Sequence, residues 1–361
     1  MINAAVHNQH KQPWLNSLQL DGLFILSPPF IALLIVSLFP ERFKNSAAMP
    51  LIYWVVLIVM VDVAHVYSTL YRTYFRPLAL KQQPVLVIIP LICYVCGIAL
   101  YAIDGMIFWR VLAYLAVFHF IRQQYGFLRL YSRKEQHGTL ITYIDTITIY
   151  TATIYPLAYW HLTTGRKFNW FIDGDFVLFQ IPHALQLSTA IYLLVILIYV
   201  IKETWLIIKN REINIPRNLL VLGTLLSWYF GIVYFNGDMA FTTLNVVSHG
   251  IPYMALIWIV ERRQFNKQIA GENSIRRLTF NTSIGILIFV GLLILLAYLE
   301  EGLWDGFVWR EHPGFFSLFK NLPLIKDNVA LVLLVPLLAL PQSTHYVLDG
   351  FIWKMKKTKE F

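Results

Sequence analysis

The chain has 361 residues, of which 58% are hydrophobic and 14% charged, whereas a soluble domain runs at roughly half and a quarter. That surplus excludes a disordered protein, a disulfide-built secreted scaffold and an ordinary cytosolic enzyme. It leaves an all-α integral membrane protein, because the apolar runs are long and continuous. The net charge of +9 does not argue for nucleic acid as a partner, since Lys and Arg lie in short stretches between apolar runs, where membrane topology places them.

Residues 1–21 form a polar stretch read as a cytoplasmic tail. A span needs about 20 mostly apolar residues. Ten segments qualify, in chain order 22–40, 50–68, 84–103, 106–128, 141–162, 184–205, 216–235, 240–260, 279–299 and 328–353. Together, 22–353 reads as a single helical bundle lying in the lipid bilayer, and 354–361 as a basic tail. With both termini and alternate connections on one side, that side carries 21 of the 29 Lys and Arg residues and the other carries 8. The positive-inside rule then puts both termini in the cytoplasm and the chain, multi-pass, in the cell's inner membrane. The connections 163–183, with Trp170 and Phe171, and 300–327, with Trp304 and Trp309, are longer than turns. They suit interfacial anchors or a lid. Cys93 and Cys96 sit inside an apolar run and read as packing residues.

Of ten histidines, His7, His10 and His137 fall in polar segments, and His161, His183 and His312 at or beyond the outer span ends. The remaining four, His65, His119, His249 and His345, fall in the second, fourth, eighth and tenth spans, all running toward the cytoplasm. Counting residues to the first cytoplasmic charge puts His65, His345 and His249 at depths of about 10, 13 and 18 Å, and His119 at about 15 Å if Arg122 belongs to the site. Imidazoles at comparable depth on co-directional helices can converge in one layer.

Each of the four has a polar residue one turn away: Asp62 before His65, Gln123 after His119, Asn245 before His249 and Asp349 after His345. Imidazole and carboxylate are the donors of iron, zinc and copper sites, and carboxylates or amides behind them orient the rings. Arg122, Gln124 and Tyr125 add a polar stretch beside His119, placing them as candidates near oxygen or substrate. A lone polar residue in a span is ordinarily an interhelical hydrogen bond, so the joint pattern, not any single histidine, carries the metal reading.

The segment Leu340-Pro341-Gln342-Ser343-Thr344-His345-Tyr346-Val347-Leu348-Asp349 resembles the Pro…His…Asp segment of the Brp/Blh-type β-carotene-cleaving dioxygenases. Phe118-His119-Phe120 is similar to a His-Phe segment of that family, and His249 and His65 extend the likeness. The resemblance implies a multi-span membrane enzyme with non-haem iron held by these four histidines. The sequence departs from the family where Asp62 precedes His65 rather than following it, and where Gln123 or Gln124 stands at an acidic position. The expected function is therefore an iron-dependent (Fe2+) oxygenase or oxidase acting on a lipophilic small molecule, with zinc or copper as alternative ions. The alternative is a proton-coupled transporter in which Asp62, His65, His345 and Asp349 form the relay.

Overall fold

A computed structural model describes residues 12–43, 49–77, 79–136, 138–211, 213–267 and 274–353. Residues 1–11 of the expected tail, the whole 354–361 tail, and His7, His10 and His137 lie outside these. Among the described residues the protein is helical without strands, and a helix covers each of the ten expected segments. Six helices are long and apolar enough to cross a membrane: Leu51–Arg72, Val85–Ile103, Gly105–Tyr131, Ala184–Lys209, Asp238–Lys267 and Gly285–Trp309. Two further spans are each a bent pair, giving up to eight.

The bends have visible causes. Leu18–Leu26 meets Pro28–Leu38 at 50°, where Pro28 and Pro29 follow Ser27 and remove two backbone donors. Asn328–Leu338 meets Leu340–Ile352 at 43°, between Pro336 and Pro341. The first helix starts at Leu18, four residues before the expected span, because Ser17 caps it and the carboxylate of buried Asp21 accepts the backbone N–H groups of Leu15 and Asn16. The helices of the other two expected segments, Thr139–Leu162 and Ile215–Trp228 with its continuation Tyr229–Tyr234, are less apolar. They carry Asp145, a run of threonines and Arg217, and pair these groups inside the protein. Arg217 bonds Glu135 at 2.8 Å and Asp145 at 3.3 Å, while Lys202 contacts both Asp145 and Glu203.

Burial identifies the centre. In Asp238–Lys267, 72% of the apolar window is buried, against 11% in Ala184–Lys209. The former is the axis around which the bundle packs; the latter is a peripheral helix exposing Leu187, Leu193 and Ile208. Close approach to that axis depends on Gly250: a Cβ there would lie 2.9 Å from Val61 Cγ1 and 3.0 Å from the Val61 carbonyl oxygen. The neighbouring helix Leu51–Arg72 is π-wound over Val55–Val63, a form that recurs at functional sites. Toward its end, buried Glu261 receives Arg72 at 3.0 Å, Arg76 at 2.6 Å and Arg276 at 2.7 Å, tying three segments to the central helix.

Candidate metal centre

The four histidines of the sequence pattern come together. His65 stands on Leu51–Arg72, His119 on Gly105–Tyr131, His249 on Asp238–Lys267 and His345 on Leu340–Ile352. Their exposures are 1, 2, 1 and 2%. Each offers one ring nitrogen, and these atoms all lie within 4.8 Å of one another, so the cluster could hold a metal ion. Two contacts are tighter: Nε2 of His249 to Nε2 of His65, and Nε2 of His345 to Nε2 of His119, both 3.1 Å. Nitrogens bound to one ion at about 2.1 Å sit about 3.0–3.4 Å apart in octahedral or tetrahedral geometry. Each of these two pairs is therefore already spaced as two ligands of one transition-metal ion would be.

Small residues allow this. Ala64, Ala113 and Ala116 are fully buried between the helices, and Gly250 follows His249 directly. On one side the ring of Phe120 stacks on His249 with centroids 3.5 Å apart and planes 6° from parallel. Trp170 packs on Phe120 at 5.0 Å, and Phe171 on Trp109 at 5.7 Å. The 163–183 connection is thus folded inward behind the cluster. It is held in shape by Asp175, whose carboxylate accepts the backbone N–H groups of Trp170, Phe171 and Ile172. Burial pushes the Asp175 carboxyl above its ordinary range despite those three bonds, which pull the other way.

Two carboxylates flank the rings. Asp62 Oδ1 is 3.7 Å from His65 Nδ1, as the i,i+3 spacing implies. Asp349 reaches across to a different helix: its Oδ2 is 3.4 Å from Nδ1 of His119, not of His345. Two carboxylates beside four neutral imidazoles would offset the charge of a divalent cation held there.

The other residues singled out from the sequence fall elsewhere. Gln123 donates to the backbone carbonyl of His249 at 2.9 Å, so it ties two site helices together rather than orienting a ring. Asn245 donates to the Phe241 carbonyl and packs on Gly231, away from the imidazole of His249. Arg122 points outward, bonding the Tyr150 hydroxyl at 2.6 Å and lying over Tyr125. Gln124 accepts from Thr224 at 3.0 Å. Gln124 and Tyr125 leave the face of His119 because successive residues on a helix turn by about 100°, which carries positions five and six away from it; Arg122, three residues on, starts near that face, but its long side chain turns to Tyr150 and Tyr125.

Sequence reasoning passed over Thr69 and Tyr253. Thr69 Oγ1 lies 2.7 Å from His345 Nδ1 and 3.1 Å from the Tyr253 hydroxyl, which in turn donates to Asp349 Oδ1 at 2.5 Å. Both were visible by spacing: Thr69 follows His65, and Tyr253 follows His249, by four residues.

No family model, no curated protein and no solved structure matches the chain.

Proposed function

We propose that the protein is a membrane-embedded metalloenzyme in which His65, His119, His249 and His345 hold iron(II) and a lipophilic substrate is oxidised beside it. The observation that carries this reading is the convergence of four buried imidazoles from four helices, with ligand atoms within 4.8 Å. The resemblance to the Brp/Blh-type dioxygenases points to the same ion; zinc and copper accept the same donors. Bound iron supplies redox chemistry with coordination positions open to oxygen. The chain's own part is to hold neutral imidazoles in a dry layer, to balance the ion with Asp62 and Asp349, and to shield one flank with Phe120. An apolar cavity of about 210 Å³ supports lipophilic access: Met60, Ala64, Met254, Trp258, Phe289 and Leu293 line it, and Ala64 is the neighbour of His65. We read all ten helical segments as spans, with both termini cytoplasmic and the chain in the inner membrane, on the distribution of Lys and Arg.

Elemental analysis of the detergent-purified protein tests this. Near-stoichiometric iron in the wild type, lost in each of His65→Ala, His119→Ala, His249→Ala and His345→Ala while the helices persist, is the expected result. No metal after anaerobic reconstitution refutes it.

A second reading, proton-coupled transport, is favoured by the two bent helix pairs, one of which carries His345, since transporters bind their cargo at broken helices. Uptake into metal-free proteoliposomes driven by a pH gradient would establish it in place of the first.

A further inference from the structure

Behind the histidines, one helical turn further along, runs a chain of hydrogen bonds. His345 Nδ1 meets Thr69 Oγ1 at 2.7 Å, and Thr69 Oγ1 meets the Tyr253 hydroxyl at 3.1 Å. That hydroxyl meets Asp349 Oδ1 at 2.5 Å, and Asp349 Oδ2 lies 3.4 Å from His119 Nδ1. The indole of Trp353 also reaches the Tyr253 oxygen, at 3.4 Å. The hydrogen bonds begin on the His345 imidazole and end on the Asp349 carboxylate, whose other oxygen lies beside the His119 imidazole.

With Asp349 as a carboxylate, the donors can be ordered in one way only. A carboxylate accepts and never donates, so the single Tyr253 proton goes to Asp349. An indole donates and never accepts, so Trp353 takes one lone pair of the Tyr253 oxygen. Tyr253 has no proton left for Thr69; the Thr69 proton must therefore go to Tyr253. The Thr69 oxygen can then only accept from His345, which fixes the His345 proton on Nδ1 and leaves Nε2 bare. The second oxygen of Asp349 favours the same tautomer in His119. The two Nε2 atoms that face each other at 3.1 Å then present lone pairs alone, and a cation between them relieves the repulsion.

We propose that Asp349 is the positioning residue of the site, holding His119 directly, and His345 through Tyr253 and Thr69, in the tautomer whose Nε2 binds a divalent cation. The proposal rests on the metal reading above for what the bare nitrogens are for, but the hydrogen-bond order stands by itself. Its counterpart is the other pair: among the described residues Nδ1 of His65 and Nδ1 of His249 have no hydrogen-bond partner. His65 Nδ1 faces the Asp62 carboxylate at 3.7 Å, a longer contact than the one Asp349 makes with His119.

The test is Co2+ titration of the full-length protein in detergent, followed by ligand-field absorption, for wild type, Tyr253→Phe, Thr69→Val and Thr69→Ser. It is joined by nitrogen NMR of labelled histidines in the metal-free protein. Removing the Tyr253 hydroxyl frees the Thr69 proton to point at His345 Nδ1, selecting the tautomer that cannot ligate through Nε2. Tyr253→Phe and Thr69→Val should each weaken Co2+ binding by about 10–100-fold and shift the ligand-field bands. Thr69→Ser, which keeps the hydroxyl, should restore both. In the NMR experiment the Nδ1–H form of His345 should be present in wild type and lost in Tyr253→Phe. Wild-type affinity and bands in both Tyr253→Phe and Thr69→Val, with the His345 tautomer unchanged, overturn the proposal. A wild type that takes up no Co2+ refutes the metal reading alone; the NMR comparison still decides the hydrogen-bond order.

Discussion

Gly250→Ala separates packing of the bundle from construction of the site. The added Cβ would stand 2.9 Å from Val61 Cγ1 and 3.0 Å from the Val61 carbonyl oxygen. Carbon contacts settle at about 3.5–4.0 Å, and a backbone oxygen cannot rotate away, so the two helices must part by about 0.5 Å. Overpacking of this kind costs about 1–3 kcal/mol, while replacing a helical glycine by alanine returns about 1 kcal/mol. Stability should therefore fall by at most about 2 kcal/mol. The site has less tolerance. His249 is the adjacent residue, its Nε2 is 3.1 Å from that of His65, and a displacement of about 0.5 Å is the limit for a productive ligand set. Co2+ affinity should fall about 10–100-fold. Gly291→Ala is the control: nothing lies within 4 Å of a Cβ there, and that variant should bind Co2+ like wild type and melt no lower. Equal Co2+ affinity in the two glycine variants would refute the reasoning, because the close approach at Gly250 would then not be what sets the His65–His249 distance.

Three other outcomes follow from the packing. Glu261→Gln leaves Arg72, Arg76 and Arg276 facing a neutral amide at a fully buried position, and should lower unfolding stability by about 3–5 kcal/mol in a denaturant titration. Phe120→Ala removes the ring stacked on His249 and should cost about 3–5 kcal/mol by the same measurement; an unchanged midpoint would mean the 163–183 connection collapses into the space. Asp175→Ala strands three backbone N–H groups at about 1–3 kcal/mol each. It should speed tryptic cleavage at Arg166 and Lys167 relative to wild type, with equal cleavage rates counting against the anchoring role of that carboxylate.

The helices were legible because a run of apolar residues long enough to cross lipid has few other uses, and every expected segment is helical. What composition does not convey is how a polar segment is tolerated. Thr139–Leu162 and Ile215–Trp228 match the expected positions, yet Asp145 and Arg217 make them less apolar than the other helices, and only the folded arrangement shows those charges closing on each other and on Lys202, Glu203 and Glu135. Prolines do not announce bends by themselves: the helices bend beside Pro28, Pro29, Pro336 and Pro341, whereas Pro252 lies inside the continuous helix Asp238–Lys267. The inward fold of the 163–183 connection could not be read in advance, since Trp170 and Phe171 suit a membrane interface as well as a protein interior.

The ligand set was legible for a geometric reason, and the supporting set was half missed for a chemical one. The sequence placed the four histidines on segments expected to run in one direction and at similar depth, the arrangement that lets them meet. A second set lies four residues on, at Thr69, Gln123, Tyr253 and Asp349, each on the same helix face as its histidine. All four residues of that set make the contacts that tie the site together. Gln123 and Asp349 draw notice in an apolar helix, whereas threonine and tyrosine are common in spans and pass as packing or as an interfacial belt. Asn245, before His249, drew attention because an amide in a span is costly, but it bonds the Phe241 carbonyl and packs on Gly231. Three of the four residues one turn after the histidines, and Asp62 before His65, reach the rings or their hydrogen-bond partners, whereas Asn245 does not.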